Sequence, residues 1–489
     1  MNPIEELSPK HVWKSFYALT QIPRPSGHTE KVAQFLVDFA KKNGAEARID
    51  EVGNVIMTKG ATPGYEDRET TVIQAHMDMV PQKTKDCQHN FETDPLDVYI
   101  ENGWVTARNT TLGADDGMGV AVAMAVIEDD TVEHGPIEVL ITRDEETGLY
   151  GAFGLKAGEL SAKYMLNLDS EEEGEITIGC AGGVDIICDM KYQELNVNPE
   201  NMLCYNIIIK GLLGGHSGIE IHKGRANANK LMARTLFATV NTGTAWLCSW
   251  HGGNMRNAIP RECEATVLVP APEKEAFLAM IEKCKDTFFD EYKDVETYAF
   301  KFFIEEVKDV PTKAIPEDIQ ENIINAVMAA HDGVLRYTPS LPDLVETSCN
   351  LAIINVGDGE AEIITLARSS QDSMKQYLVN SYVACFSMAG MEVKAEGGYS
   401  GWQPNPKSPL VTMMSDIYNG LYGKRPAVGA CHAGLECGII GVNYPDMDMA
   451  SYGPTIAHPH TPDEACNIES VEKFYKFTLE VLKNIPKKA

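Results

Sequence analysis

The sequence predicts an α/β protein in which an α+β domain is inserted into a wound α/β domain. Its 489 residues exceed the usual size of one domain. Helical and extended patterns alternate through the first part of the chain, and the same style returns near residue 402. The residues between follow a different rhythm. We therefore expect residues 1–186 and 399–489 to form one domain and residues 187–398 to form the insertion.

The first and last parts of the chain show the alternation expected of a wound sheet. Amphipathic spacing marks helices, and short runs rich in Val, Ile and Leu mark strands buried on both faces. The pattern predicts helices at 30–43, 117–128, 410–422 and 469–483, and strands at 54–58, 71–75, 137–142 and 164–168.

The insertion contains two sets of strands and helices. The first has strands at 204–210 and 263–269 and helices at 226–240 and 273–292. The second has strands at 300–305, 350–355, 362–367 and 392–396 and helices at 316–331 and 373–389. We interpret the sets as two ferredoxin-like α+β halves in a row, as a duplication would produce.

Composition argues against two classes of partner. The formal net charge is −29 and the sequence has no basic cluster, so we expect no nucleic-acid partner. The longest apolar run, residues 120–127, is far shorter than the roughly 20 residues that cross a bilayer, so we expect no membrane partner. Residues 1–10 lack the pattern of a secretory signal, and we expect a cytoplasmic protein.

Three predicted strands are each followed by residues that can bind metal or carry protons. His76 and Asp78 follow strand 71–75 and share a face, because alternate residues of an extended segment point to the same side. Glu145 and Glu146 follow strand 137–142, and Asp169 follows strand 164–168. Each motif alone also fits a purely structural role.

A fourth acidic motif, Asp115-Asp116, stands directly before the apolar helix. Alone it would be explained as an N-cap, because acids are favoured at helix N-termini. In wound sheets, however, ligands bind beyond the carboxyl ends of the strands, so all four motifs should meet in one crevice. Carboxylates crowded there repel one another unless cations lie among them. Oxygen donors with imidazole and no thiolate favour zinc, manganese or cobalt.

A centre with two zinc ions needs a second imidazole. The segment GPTIAHPHTPDE near the carboxyl end offers His458 and His460. We choose His460 as the ligand and keep His458 as the alternative.

The motifs HMDMV, TLGADDG, RDEETG, NLDSEE and HTPDE, in this order, resemble those of the zinc aminopeptidase and carboxypeptidase clan that includes acetylornithine deacetylase and aminoacylase. The chain length and the segments GGHSG, CHAGLECG and SYGPTI are most similar to bacterial dipeptidases of that clan that act on Xaa-His substrates. The resemblance covers nearly the whole chain. It implies a zinc-exopeptidase-like catalytic domain with an inserted lid domain, and a metallo-dipeptidase that hydrolyses small, carnosine-like dipeptides.

The resemblance also implies five ligands for two divalent ions, and the donor chemistry favours zinc, with cobalt or manganese as alternatives. Asp115 bridges the ions. One ion would share it with His76 and Asp169, and the other with Glu146 and His460.

Two more acids receive roles from the resemblance. Glu145 matches the general base, which takes a proton from the attacking water and passes it to the leaving amine. Asp78 matches the acid that accepts the second ring N–H of His76 and fixes its orientation.

Three residues of the insertion are similar to substrate residues of the clan, and a glycine of the last segment is a further candidate. His216, in GGHSG, would donate a hydrogen bond to the developing oxyanion. Arg368 offers a bidentate fork for the substrate carboxylate, and Asn257 offers an amide donor. Gly434 would bring backbone N–H groups close to the substrate. Whether His216 acts within its own chain or across a homodimer stays open.

Four other functions compete with this prediction, two on the same scaffold and two that the sequence disfavours. The same scaffold would suit an N-acyl amino acid deacylase or a single-residue carboxypeptidase. A two-metal phosphohydrolase is disfavoured because the insertion has no basic cluster for phosphate. A metal-free binding protein descended from such an enzyme is also disfavoured, because every inferred ligand and the base are present.

Overall fold

The computed structural model describes residues 2–488, which form two compact units. The first unit comprises the chain up to Gly179, the segment Trp402–Ala430 and the chain from Leu435 onward. The second comprises Cys180–Gly401 and the short segment Cys431–Gly434. From the sequence we predicted domain boundaries after residues 186 and 398. Residues 431–434 were predicted to belong to the first, wound α/β domain.

Backbone pairing explains why the second unit starts before the predicted boundary. The strand Gly182–Lys191 pairs with Glu360–Ser369 along its whole length. It begins with two glycines, which are typical of a turn and hide the start of the strand in the sequence. The Ala181 amide donates to the Ala433 carbonyl over 3.0 Å, which ties the segment 431–434 to the same unit.

Residues 2–488 contain eleven α-helices and twenty-three strands, numbered here in chain order. The helices are α1 Lys10–Thr20, α2 Glu30–Lys42, α3 Ala114–Glu128, α4 Tyr150–Gly154, α5 Ala228–Thr239, α6 Lys274–Tyr292, α7 Glu317–Ala329, α8 Asp372–Met388, α9 Pro409–Tyr422, α10 Glu436–Asn443 and α11 Ile468–Asn484. The strands are β1 Glu46–Ile49, β2 Val55–Lys59, β3 Thr71–His76, β4 Val98–Glu101, β5 Trp104–Ala107, β6 Ile137–Thr142, β7 Tyr164–Asn167, β8 Glu175–Cys180, β9 Gly182–Lys191, β10 Leu195–Asn196, β11 Met202–Lys210, β12 Trp246–Gly252, β13 Cys263–Pro270, β14 Lys301–Val307, β15 Lys313–Ala314, β16 Gly333–Thr338, β17 Leu341–Gly357, β18 Glu360–Ser369, β19 Glu392–Tyr399, β20 Ala427–Cys431, β21 Asp448–Ser451, β22 Ile456–Ala457 and β23 Ala465–Asn467.

An eight-stranded sheet forms the centre of the first unit, in the order β1-β2-β6-β3-β7-β21-β8-β20. Strands β6, β3, β7 and β21 are parallel, and every residue of β3, β6 and β7 is buried. The register places His76 opposite Thr142 and Gln74 opposite Asn167. The carboxyl ends of these strands therefore meet at one edge, where a wound sheet binds its ligand. A separate four-stranded sheet has the order β22-β23-β5-β4.

The core of the first unit is built around α3, whose residues 114–127 are all buried. This helix contains the longest apolar run of the sequence, which a fully buried helix explains. Helix α1 buries Trp13 and Phe16 on one face, and α11 buries Val471 and Phe474. Each such side chain contributes about 1.5–3 kcal/mol by leaving water. Among residues 2–488, every helix is too short or too polar to cross a bilayer.

A nine-stranded sheet forms the second unit, in the order β14-β11-β13-β12-β17-β18-β9-β19, with β16 paired to β17. The elements β11-α5-β12-β13-α6-β14 form one βαββαβ half, and β9-α7-β17-β18-α8-β19 form the other. The prediction of two halves in a row was wrong, because the first half is inserted between β9 and α7 of the second. Residues 300–305, assigned from the sequence to the second half, lie largely in β14 and pair with β11.

Candidate metal centre

The loops at one edge of the first unit's sheet carry the predicted ligands. His76 is the last residue of β3, Asp169 follows the end of β7, and Glu146 follows the end of β6. Asp115 lies in the first turn of α3, where its backbone is not helical (φ −81°, ψ 112°). His460 lies in the connection between β22 and β23. Five separate elements thus deliver one polar side chain each.

Asp115 lies between the two histidines. Its Oδ1 is 3.1 Å from His76 Nε2, and its Oδ2 is 2.9 Å from His460 Nε2. Asp169 Oδ1 lies 3.3 Å from His76 Nε2, and Glu146 Oε1 lies 3.1 Å from His460 Nε2. The two oxygens of one carboxylate therefore face two different groups, each containing one imidazole and one further acid.

The geometry favours His460 over the alternative His458. His460 Nε2 contacts both Asp115 and Glu146. His458 is exposed, and its carbonyl accepts a hydrogen bond from the Thr461 hydroxyl over 2.8 Å. Both histidines have positive φ, 53° for His458 and 60° for His460, so the turn between them is tight.

Asp78 connects His76 to the loop that carries the two glutamates. Its Oδ1 is 3.4 Å from His76 Nδ1 and accepts a hydrogen bond from the Glu145 amide over 3.0 Å. Its Oδ2 accepts from the Ser26 hydroxyl over 2.7 Å and from the Glu146 amide over 3.4 Å. Burial opposes ionisation of Asp78, but His76 and these donors together lower its pKa.

Glu464 supports the loop before Asp115, a role that we did not predict from the sequence. Its Oε2 accepts hydrogen bonds from the amides of Leu112 and Gly113 over 2.8 and 3.0 Å. Its Oε1 accepts from the amides of Ala114 and Asp115 over 2.7 and 3.3 Å. One buried carboxylate therefore binds four consecutive amides. Glu464 belongs to the motif HTPDE, but a contact to residues about 350 positions earlier leaves no signal in a single sequence.

Arg24 is a second support that we missed. Its side chain is only 2% exposed, and its Nη1 donates to the carbonyls of Met77 and Asp78 over 3.0 Å each. Its Nη2 donates to the Gly113 carbonyl over 2.5 Å. The guanidinium thus joins the end of β3 to the loop before Asp115. A Cβ on Gly113 or Gly117 would lie 2.7 or 2.4 Å from Arg24 Nη2, so both positions need glycine for this contact.

Replacing Glu464 with glutamine should destabilise the first unit. The glutamine side chain keeps one oxygen as an acceptor. Its NH₂ group is a donor, however, and would face two backbone N–H groups that are donors as well. We expect the free energy of unfolding to fall by about 1–3 kcal/mol, measured by urea denaturation in the presence of EDTA. The exposed Glu472→Gln is the matched control. Equal stability of the two variants would contradict the supporting role of Glu464.

Several side chains of the cluster have pKa values far from their usual ranges. Burial raises the pKa of Asp169 to about 7, and Asp115 and Glu146 add to the shift. Burial also raises the pKa of Glu145 well above its usual range, with Asp169 among the contributing charges. The Asp115 and Glu146 carboxylates beside the His460 ring raise its pKa to about 11. These shifts mean that positive charge is needed among the acids, supplied either by protons or by cations.

The donor set fits divalent cations. One ligand atom from each of His76, Asp115 and Glu146 can be chosen so that all three lie within 4.8 Å of one another. Glu146 Oε1 is buried yet makes no hydrogen bond of acceptable geometry. Imidazole nitrogens and carboxylate oxygens without thiolate are the donors of catalytic zinc, cobalt or manganese sites. A cation would stabilise the ionised acids and so lower their pKa values.

Two other acids near the predicted ligands, the half-buried Glu171 and the buried Glu436, were not predicted. Burial raises the pKa of Glu171 to about 8, and the charges of Asp115 and Asp169 add to the shift. Glu436 is fully buried, and its Oε2 accepts hydrogen bonds from Gln74 Nε2 and Thr142 Oγ1, each over 2.6 Å. Glu436 therefore joins two of the strands that carry the site, beneath their last residues.

The four predicted substrate residues lie in the second unit. Arg368 is on β18 and is 5% exposed, and its charge lowers the pKa of the neighbouring His216 in addition to the effect of burial. The loop of His216 packs beside Asn257, whose carbonyl accepts a hydrogen bond from the Ser217 amide over 2.8 Å. The Asn257 side chain is exposed. Gly434 packs against the ring of Tyr399.

Comparison with known proteins establishes the family. Residues 72–484 match peptidase family M20/M25/M40, and this stretch contains every residue from His76 to His460. The chain belongs to this family. It is therefore an M20 peptidase, and the prediction of a metal-dependent hydrolase acting on peptide bonds is confirmed at the level of the family.

Two relatives match this M20 peptidase over essentially the whole chain. It is 41% identical over 488 residues to the cytosol non-specific dipeptidase of Escherichia coli (strain K12), with 100% of each chain covered. The crystal structure of aminoacylhistidine dipeptidase from Vibrio alginolyticus superposes with a TM-score of 0.94 at 40% identity, covering 100% of this chain and 99% of that one. The predicted fold class, a wound exopeptidase-like domain with an inserted α+β domain, is confirmed.

A more distant neighbour shares the fold alone. Aminopeptidase PepT from Bacillus cereus ATCC 10987 matches with a TM-score of 0.56 at 16% identity, covering 98% of this chain and 99% of that chain. The fold of this chain is thus also found in an aminopeptidase of low sequence identity.

Proposed function

We propose that this M20 peptidase is a dipeptidase that works with two divalent metal ions, zinc first and cobalt or manganese as alternatives. The observation that carries the proposal is the Asp115 carboxylate, whose oxygens face His76 on one side and His460 on the other. A carboxylate placed in this way could be a ligand of two divalent ions at once. When bound, the ions polarise the scissile carbonyl and lower the pKa of a water molecule.

The ligand set that we propose follows the two groups around Asp115. His76, Asp115 and Asp169 would hold one ion, and Asp115, Glu146 and His460 would hold the other. Support comes from the distances of 2.9 to 3.3 Å that join these side chains. The ions are mutually dependent, because both use the same carboxylate.

Glu145 is proposed as the general base. It lies next to a ligand in the chain but is not among the proposed ligands, so its carboxylate can accept a proton from water and return it to the leaving amine. Its backbone amide donates to Asp78 Oδ1 over 3.0 Å, which fixes the start of the loop. Asp78 is proposed to orient both this loop and the His76 ring.

The second unit is proposed to supply the substrate contacts. Arg368 binds the free carboxylate of the dipeptide through its planar fork, and Asn257 adds an amide donor. His216 donates to the developing oxyanion, and Gly434 presents its backbone to the substrate. The support for Arg368 is its burial at 5% exposure with a guanidinium Nε that makes no hydrogen bond.

Xaa-His dipeptides such as β-alanyl-histidine are the proposed substrates. The Vibrio alginolyticus protein is named for aminoacylhistidine, whereas the Escherichia coli protein is named non-specific. We propose that Xaa-His dipeptides are accepted together with other small dipeptides. The Escherichia coli relative is named a cytosol dipeptidase, which supports a cytoplasmic location for this chain.

A substrate panel tests the proposed function. The metal-free protein is loaded with zinc, cobalt or manganese and assayed on Ala-His, β-alanyl-histidine and Ala-Ala. The comparison substrates are N-acetyl-histidine, benzyloxycarbonyl-Gly-Ala and 4-nitrophenyl phosphate. We expect the free dipeptides to be cleaved with the largest kcat/KM. Preference for N-acetyl-histidine would show a deacylase instead, and preference for the blocked peptide would show a carboxypeptidase.

A further inference from the structure

Four residues lie at the same register across neighbouring strands of the second unit. Ser348 on β17 is opposite Arg368 on β18, Arg368 is opposite Gly183 on β9, and Gly183 is opposite Tyr399 on β19. Directly opposite residues in a sheet project to the same face. The row therefore places an arginine and a tyrosine on either side of a glycine.

Gly183 allows the tyrosine ring to lie across the strand. A Cβ on Gly183 would be 2.7 Å from Tyr399 Cε1 and 2.8 Å from its hydroxyl oxygen, which is too close for any side chain. A Cβ on Gly434 would likewise be 3.0 Å from Tyr399 Cε2. The ring thus occupies space that two glycines leave open. The Lys375 ammonium also donates a hydrogen bond to the Tyr399 carbonyl, which anchors the backbone at this position.

The ring position brings the phenol to the arginine. Arg368 Nη1 donates a hydrogen bond to the Tyr399 hydroxyl over 3.2 Å. Tyr399 is mostly buried, and burial raises the pKa of its hydroxyl, which therefore stays neutral. The hydroxyl accepts from Arg368 and keeps its own O–H as a donor for an acceptor beside the guanidinium.

Arg368 forms no ion pair with an acid among the described residues of its unit. The hydrogen bond to Tyr399 is the one polar contact described for its guanidinium, and its buried Nε has no partner. The titratable neighbours that feel its charge are His216, Tyr399 and His432. Burial and the charge of Arg368 lower the pKa of His432 to about 3, so this ring is neutral. A buried cation without an anion is costly, which indicates a site prepared for an anionic ligand.

We infer that Tyr399 is a positioning residue that holds the Arg368 guanidinium for a substrate ending in a free carboxylate. The inference rests on the proposed function, in which Arg368 binds that carboxylate. A neutral phenol fixes the orientation of the fork without neutralising it, which an aspartate or glutamate would do. Tyr399 therefore contributes to the selection of dipeptides over their C-terminal amides.

The Tyr399→Phe variant tests this inference by removing one oxygen atom. The assay compares Ala-His with its C-terminal amide, Ala-His-NH₂. We expect KM for Ala-His to rise about tenfold, as for loss of one hydrogen bond to a charged group, while kcat changes little. The kcat/KM for the amide should stay within about twofold of wild type, so the preference for the free carboxylate should shrink about tenfold. The exposed Tyr377→Phe is the control and should keep the wild-type preference.

A second variant separates ring position from overall stability. Gly183→Ala keeps the phenol but moves the ring by steric contact, and it should reproduce the selective loss for the free acid. Unchanged preference in a folded Tyr399→Phe protein would overturn the inference, as would equal losses on acid and amide. If the wild-type protein cleaves neither Ala-His nor other dipeptides, the proposed function itself fails, which is a different result.

Discussion

Replacing Glu145 with glutamine should lower kcat for dipeptide hydrolysis by about 10³-fold while metal content stays at the wild-type level. The loss lies within the range of roughly 10²–10⁴-fold that a positioned general base contributes. Glutamine has the same shape but cannot accept a proton at neutral pH. Its backbone amide should keep the hydrogen bond to Asp78, so the loop should stay in place.

The measurement combines kinetics with metal analysis of the same preparation. Glu172→Gln is the matched control, because this residue lies near Asp169 in the chain but is exposed. It should keep wild-type kcat. If Glu145→Gln keeps kcat within a few fold of wild type, the proton is carried by another group and our assignment of the base is wrong.

Asparagine in place of Asp115 should remove both metal ions together. The wild-type carboxylate offers one oxygen toward His76 and the other toward His460, whereas asparagine offers one neutral oxygen and one NH₂ group. We expect bound metal to fall from about two ions to less than one per chain, with activity lost in proportion. The amide NH₂ cannot bind a cation.

The control for this prediction is Asp463→Asn, which removes one negative charge from an exposed position in the same loop as His460. It should retain two ions. Zinc, cobalt and manganese should each be titrated by calorimetry into the metal-free variants. Retention of one ion with full affinity in Asp115→Asn would show that the two sites are independent and that Asp115 is not a bridge.

Three of the proposed ligands could be predicted because strand ends are visible in a sequence. Buried runs such as 71–75 mark parallel strands, and parallel strands place the residues that follow them at a common edge. His76, Glu146 and Asp169 could therefore be grouped before any coordinates were known. His460 depended on the need for a second imidazole and on family resemblance, because it lies in a short turn outside the main sheet.

The supporting residues could not be predicted, because their contacts join distant parts of the chain. Glu464 binds four amides about 350 residues away, and Arg24 reaches the Gly113 carbonyl. Neither lies at the end of a recognisable strand. Their burial is also invisible in the sequence, since Glu and Arg are usually exposed.

The nesting of the two halves of the inserted domain could not be predicted from the sequence. The helices and most strands of this domain could be predicted from their periodicity. The nesting of the two halves, however, depends on which strand pairs with β9. Pairing across about 180 residues is decided by the packing of the completed sheet. A prediction that follows the order of elements along the chain therefore puts the two halves one after the other.

Whether Asp115 is shared by two metal ions can be tested by anomalous diffraction from crystals of the zinc-loaded protein, combined with the zinc content of the same sample. We expect two zinc peaks per chain on either side of the Asp115 carboxylate, one beside His76 and Asp169 and one beside His460 and Glu146. A single peak, or peaks that do not touch Asp115, would contradict this expectation.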